Sequence, residues 1–189
     1  MEVNIVNWAS TAGSEYYNQN DMEKAKQMLQ DMGYNGEEFR LMATRDYDHH
    51  YNSAVVIYEQ LKEMGINASL EIYDWPTLND KMDNDLGAWD AFVTSSSTVS
   101  TPPQLIALSP SFGGGVNDQK VIDLMKQIEN APTIEEAQAL WDELQLYAWE
   151  ELLPIVNLGG FNALYAYSNK IEGVTATTGP IFWNVSKSE

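Results

Sequence analysis

Side chains that could bind a small molecule follow three predicted strands in turn. Arg45 comes directly after the first strand and Trp75 follows the second. After the third come four hydroxyl side chains, Thr94, Ser95, Ser96 and Ser97. In open α/β sheets ligands bind outside the carboxyl ends of the strands. A guanidinium can hold a carboxylate through two hydrogen bonds, and an indole offers an apolar plate. The pattern therefore predicts one wall of a ligand pocket at this edge of the sheet.

Each of these residues also has an ordinary structural interpretation. Arg45 could form an ion pair with one of the many acidic side chains nearby. Trp75 could belong to the hydrophobic core, and the serine run could be a polar loop. The residue types and their spacing leave both interpretations open.

The sequence offers little support for catalysis or metal binding. His49 and His50 are the two histidines, and neither G-x-S-x-G nor a phosphate-binding loop occurs. Together with Asp46 and Asp48 they form the densest group of possible metal ligands. Adjacent residues on a helix point about 100° apart, however, and the spacing H-E-x-x-H is absent. Cysteine is also absent, which excludes thiol catalysis and Cys-ligated metals. We expect no catalytic residue, no metal and no cofactor.

Hydrophobic spacing predicts the elements that position these residues. Strands are expected over 39–44, 66–73 and 89–94, with helices over 47–64 and from Asp74 onward. This β-α-β-α-β order with short loops is typical of a partly parallel sheet covered by helices. Further elements are expected as helices at 22–32 and 118–129, a helix capped by Thr133, a hairpin around Gly159-Gly160, and a strand at 181–185. The predicted fold class is α/β, with a mixed sheet of about five strands flanked by helices.

Length and charge restrict the possible functions. The 189 residues are 44% hydrophobic, which excludes disorder of the whole chain. The 28 acidic and 10 basic residues give a net charge of −18. Such a chain is repelled by nucleic acid and by anionic lipid surfaces. No apolar run approaches the roughly 18 residues that span a bilayer. We expect neither nucleic acid nor membrane insertion.

Several segments, taken in order, resemble one known family. They are Asp21–Leu29 with Met32-Gly33-Tyr34, the helix–strand unit from Val55 to Trp75, Trp89-Asp90-Ala91-Phe92, the stretch from Gly113 to Met125, and Leu152-Leu153-Pro154-Ile155. This ordered set resembles the second, C-terminal lobe of family 5 extracytoplasmic solute-binding proteins. Members of that family serve oligopeptide, dipeptide and nickel ABC importers.

The resemblance implies an organisation and a set of partners. Residues 1–20 would be a lead-in near the hinge, and 21–189 one lobe of a type II periplasmic-binding-protein-like fold. The chain would then be a fragment of a longer, two-lobed, extracytoplasmic protein with a lipoprotein parent. Its partners would be a peptide or similar small solute, the first lobe and an ABC permease.

The resemblance also implies roles for particular residues. Trp75 matches an aromatic residue that lines the ligand cavity, and His49 falls where an oligopeptide-binding relative has a cleft histidine. The segment 94–99 corresponds to a loop that carries a Trp and an Asp in oligopeptide binders, the Asp holding the peptide ammonium. Both are missing here. The ligand class stays open between a peptide, a nickel chelate and another solute.

Three functional hypotheses follow from the sequence. The main one is a non-enzymatic binding lobe that traps its ligand against a second lobe and docks on a permease. The second is a stand-alone acidic protein-interaction domain. The third is a hydrolase that uses paired surface carboxylates, although no spacing in the sequence orders such a pair.

Overall fold

The computed structural model of the protein describes residues 8–96, 99–160, 164–176 and 180–187. These residues form two compact units. The first contains the described residues up to Ser95 and from Val99 to Val156. The second contains Ser96 and the described residues from Asn157 onward. Among these residues, no helix is long and apolar enough to cross a membrane.

The first unit alternates strands and helices over its first half and is helical over its second. Its main elements are α1 (Met22–Asp31), β1 (Glu38–Thr44), α2 (Asp48–Glu63), β2 (Asn67–Tyr73), α3 (Trp75–Asn84), β3 (Ala91–Phe92), α4 (Gln119–Asn130) and α5 (Ile134–Tyr147). Short 3-10 turns occupy Ser14–Tyr16, Pro102–Gln104 and Ile106–Leu108, and a π-helix covers Ala148–Leu152.

The three strands of this unit form a parallel sheet in the order β2-β1-β3. β1 pairs with β2 along its whole length, from Glu38↔Asn67 to Thr44↔Tyr73. The crossover from β1 to β2 runs one way along the sheet, and the crossover from β2 to β3 returns past β1. Because such crossovers are right-handed, α2 and α3 cover opposite faces of the sheet.

Alternating residues of β1 build the core on the two faces. Leu41 and Ala43 pack with Ala54 of α2 and with Val93. On the α3 side, Leu78 and Met82 are buried. A separate helical core joins α4 to α5 through Val121, Leu124, Ile128, Ala137, Trp141 and Leu144. Both halves of the unit therefore bury apolar side chains of the kind that the spacing predicted.

The α/β class is confirmed, but the main sheet has fewer strands than the five expected. Ile155–Leu158, predicted as the first strand of a hairpin, forms no strand. The predicted second strand of that hairpin begins outside the described residues. The prediction of one strand over 181–185 is wrong. In the second unit two antiparallel ladders form instead: β4 (Ile171–Glu172) with β7 (Ser186–Lys187), and β5 (Thr175–Ala176) with β6 (Pro180–Ile181). Apolar alternation marks residues able to join a sheet, but a strand also needs a hydrogen-bonded neighbour.

Candidate functional site

The carboxyl ends of β1 and β3 lie side by side where the strand order reverses. In open α/β sheets this reversal is the usual position of a ligand crevice. β1 ends at Thr44, which is fully buried. The Thr44 hydroxyl accepts a hydrogen bond of 3.1 Å from the Asp46 amide. This bond turns the chain sharply as it leaves the sheet and brings Arg45 to the surface.

Two carboxylates fix the start of α3. Asp46 Oδ2 accepts a hydrogen bond of 2.7 Å from the Trp75 amide. Asp74 is the N-cap, and its Oδ1 accepts one of 2.8 Å from the Thr77 amide. The hydrogen bond from the Thr77 amide lowers the pKa of Asp74 from its usual value. The predicted cap is confirmed, and the two bonds hold Trp75 beside the end of β1.

Four rings meet at this point, and we call Tyr47, His49, His50 and Trp75 the aromatic cluster. The Tyr47 ring lies 5.5 Å from Trp75 and 5.1 Å from His50, both edge to face. The centroids of His49 and His50 are 4.3 Å apart. His50 lies 5.8 Å from Trp75. Edge-to-face packing at such distances stabilises ring pairs.

The members of the aromatic cluster differ in exposure. His49 is exposed, Tyr47 is 42% exposed, and Trp75 is half-buried. His50 is only 2% exposed, and within the described part of the chain neither of its ring nitrogens has a hydrogen-bond partner. Burial, with a smaller effect from the nearby His49, lowers the pKa of His50 from its usual value. The cluster therefore presents three rings to solvent and keeps one imidazole beneath them.

Arg45 is exposed and its guanidinium stacks over the Tyr51 ring at 5.1 Å. In the described part of the chain, no carboxylate lies within 4.0 Å of this guanidinium. The ion pair left open by the sequence belongs instead to Arg40, which holds both oxygens of Asp90 at 3.0 and 3.2 Å. Among the described residues, the Arg45 guanidinium therefore has no ion pair, and it lies on the turn that follows β1.

The hydroxyl-rich stretch begins at the end of β3. The Val93 amide donates to the Met42 carbonyl at 2.9 Å, which continues the contact with β1 just past the end of β3. Thr94 and Ser95 are exposed. Ser96 is also exposed and belongs to the second unit. Ser97 lies outside the described residues.

The structure thus brings Trp75 and His49 into one cluster, with Arg45 on the adjoining turn and Thr94 and Ser95 at the neighbouring strand end. Sequence reasoning missed Tyr47 as a member, and it considered His50 only as a possible catalytic base or metal ligand. The signal was the run Tyr47-Asp48-His49-His50 directly after a strand. Within the described residues, no three His, Cys, Asp or Glu side chains are grouped as a metal site.

The fold defines the class of protein. A dipeptide-binding protein from Pseudoalteromonas sp. SM9913, solved with Met-Leu, matches 95% of this chain and 39% of its own with a TM-score of 0.70 at 17% identity. AgaA from A. tumefaciens R10, solved with agropinic acid, matches 70% of this chain and 28% of its own with a TM-score of 0.60 at 30% identity. The fold is that of part of a periplasmic binding protein.

Residues 3–118 match the middle region of bacterial extracellular solute-binding proteins, family 5. The chain belongs to this family. A curated relative, the "Probable peptide ABC transporter periplasmic-binding protein y4tO" of Sinorhizobium fredii, is 30% identical over 181 residues, which cover 89% of this chain and 33% of the relative. The chain spans about a third of the length of that relative.

Proposed function

We propose that this chain is the C-terminal lobe of a two-lobed solute-binding protein that captures a peptide or a similar small solute for an ABC permease. The observation that carries the proposal is the placement of the aromatic cluster and Arg45 at the point where the strand order reverses. An exposed guanidinium beside an aromatic surface suits a ligand that has a carboxylate and an apolar part. Family membership supports the transport role.

The organisation that we propose follows the family pattern. Residues 1–20 are the lead-in near the hinge, and 21–189 are the lobe. The part of the relatives that this chain does not span would supply the first lobe and the opposite wall of the cleft. The intact protein would act outside the cytoplasmic membrane, where ligand closes the two lobes and the closed form docks on the permease.

The ligand is a peptide or a small solute that shares a carboxylate with peptides. The names of the relatives include a peptide transporter, and their solved ligands include Met-Leu and agropinic acid. This chain has neither the Trp nor the Asp expected in the segment 94–99 of an oligopeptide binder. We therefore assign recognition of the ligand carboxylate to Arg45, packing against the ligand to Trp75 and His49, and adaptable hydrogen bonds to Thr94, Ser95, Ser96 and Ser97.

We propose binding without catalysis. The buried ring nitrogens of His50 have no partner among the described residues and so activate no nucleophile there. Asp46 and Asp74 beside the site already serve the backbone, because Asp46 accepts from the Trp75 amide and Asp74 from the Thr77 amide. Binding needs only the exposed rings, the guanidinium and the hydroxyls.

Two-dimensional ¹H–¹⁵N NMR of the 189-residue chain tests this proposal. The probe is a mixture of di- to hexapeptides at millimolar total concentration and low salt. We expect shifts centred on the Trp75 indole, the Arg45 amide and the amides of Thr94 and Ser95. Shifts that avoid these groups, or no shifts at all, would contradict a ligand wall at this end of the sheet.

A further inference from the structure

His50 is buried beneath the exposed rings of the site without a polar partner. Its exposure is 2%, and both Nδ1 and Nε2 lack hydrogen bonds among the described residues. Its ring lies 5.1 Å from Tyr47, 4.3 Å from His49 and 5.8 Å from Trp75. Buried polar groups are nearly always hydrogen-bonded, so a buried imidazole whose two nitrogens have no partner among the described residues requires an explanation.

The surroundings of His50 tolerate the neutral ring far better than the charged one. A neutral imidazole leaves one donor and one acceptor unpaired here, whereas a protonated ring would bury two donors and a charge. No carboxylate is among the causes that shift the pKa of His50, which are burial and the nearby His49. Tyr47 and His49 are the titratable groups in ring contact with His50. Of these, His49 acts on it by charge and repels a second positive charge.

Trp75 depends on this packing for its position. The Asp46 carboxylate holds the Trp75 amide at 2.7 Å, but the indole itself rests against Tyr47 and His50. A change in the position of the His50 ring can therefore move the Trp75 indole, while the hydrogen bond from the Trp75 amide to Asp46 still holds the start of α3. The indole can move without unfolding of the helix.

We propose that His50 is an acid-sensitive positioning residue for Trp75. The neutral ring holds the indole at the ligand wall. The protonated ring leaves the cluster, which displaces the indole and weakens ligand binding at acid pH. The last step rests on the proposed function, whereas the movement of Trp75 does not.

The direction of the transition follows from burial. Burial and the nearby His49 lower the pKa of His50 below its usual 6.5, so the indole should stay in place at neutral pH and move only below that value. A midpoint below the usual imidazole value of about 6.5 is what burial of the ring predicts. The midpoint of the Trp75 transition is therefore the signature of His50.

An NMR pH titration of the full chain, without ligand, tests the movement. The indole signal of Trp75, assigned by its loss in Trp75→Phe, is followed from about pH 8 to about pH 5. We expect a transition with a midpoint below 6.5 in the wild type and in His49→Phe, and none in His50→Phe. His50→Leu serves if His50→Phe does not fold. A transition that persists in the His50 variant, or a flat wild-type signal, would overturn the proposal.

A second experiment separates this proposal from the proposed function. Binding of the same di- to hexapeptide mixture is measured at about pH 7.5 and about pH 5. We expect affinity to fall about tenfold in the wild type, equivalent to one unit of coupled pKa, and to change little in His50→Phe. An equal fall in both proteins would overturn the role of His50 in binding. Absence of binding at both pH values would contradict the proposed function and leave the indole titration to decide the position of Trp75.

Discussion

Trp75 is the residue on which the proposed ligand wall most depends. It is half-buried against Tyr47 and His50, so its exposed part is held in a fixed position. Buried aromatic anchors dominate the energy of many binding sites. We expect Trp75→Ala to weaken peptide binding by about 2 kcal/mol or more, measured by NMR titration. Trp183→Ala is the matched control, because that side chain is 91% exposed. Equal affinity in the two variants would remove Trp75 from the site.

The two arginines allow a second test at the residue scale. Arg45 stacks on Tyr51 and faces no described carboxylate, whereas Arg40 is committed to Asp90. We expect Arg45→Gln to reduce the preference for a free-acid peptide over its C-terminal amide by about tenfold, as for loss of one charged hydrogen bond. Arg40→Gln should leave that preference intact while lowering stability. If Arg45→Gln weakens acid and amide peptides alike, the carboxylate clamp is excluded.

At the scale of elements, α3 carries Trp75 and must be packed firmly on the sheet. Leu78 lies one turn after Trp75 and is fully buried. Leu78→Ala should lower the free energy of unfolding by about 2–5 kcal/mol, because it removes core contacts and leaves a cavity. Urea denaturation measures this change, with the exposed Asp83→Ala on the same helix as the control. A loss no larger than that of the control would mean that α3 is not packed as described.

The Arg40–Asp90 pair joins β1 to the approach to β3 and gives a pH prediction. The hydrogen bond from Arg40 lowers the pKa of Asp90 from its usual 3.8. A lowered pKa adds stability that is present above the unfolded value and is lost as pH falls through the folded value. We expect Asp90→Asn to be less stable than the wild type at neutral pH and to lose less stability below about pH 4. Urea denaturation at several pH values measures both effects.

The exposed Asp83→Asn variant provides the control for that series. It should follow the wild type at every pH, since Asp83 forms no ion pair in the described residues. If Asp90→Asn also follows the wild type at every pH, the pair does not stabilise the sheet. No change in the Trp75 indole signal is expected in either variant, because Arg40 and Asp90 lie toward the opposite end of β1.

The elements of the first unit were predictable because their signals are local. Asp74 and Thr133 cap their helices as expected, accepting from the Thr77 and Glu136 amides. The aromatic cluster was only partly predictable, since it depends on how α3 approaches the start of α2. The burial of His50 could not be predicted, because the sequence does not distinguish two adjacent histidines. Tertiary packing leaves His49 exposed and buries His50. The strand count failed for the same reason, because strands depend on distant partners.

At the scale of the whole molecule, the net charge of the chain is negative, whereas the proposed ligand site carries the positive charge of Arg45. The chain carries −18, and Arg45 and Arg40 are its two arginines. A strongly acidic molecule attracts cationic solutes over roughly 10 Å at 0.1 M salt, whatever its specific site. A probe without net charge therefore reports the chemistry of the site itself. If Arg45 binds the ligand carboxylate as proposed, it should still bind a probe that has no net charge.

Photo-crosslinking with a net-neutral tetrapeptide that carries a benzophenone tests the ligand wall most directly. After irradiation of the full chain, mass spectrometry locates the adducts. The proposed site predicts adducts on Tyr47, His49 or Trp75 and on the turn at Arg45, reduced by excess unlabelled peptide. Adducts confined to other parts of the chain, such as the surface of α4 and α5, would contradict a ligand site at the carboxyl ends of β1 and β3.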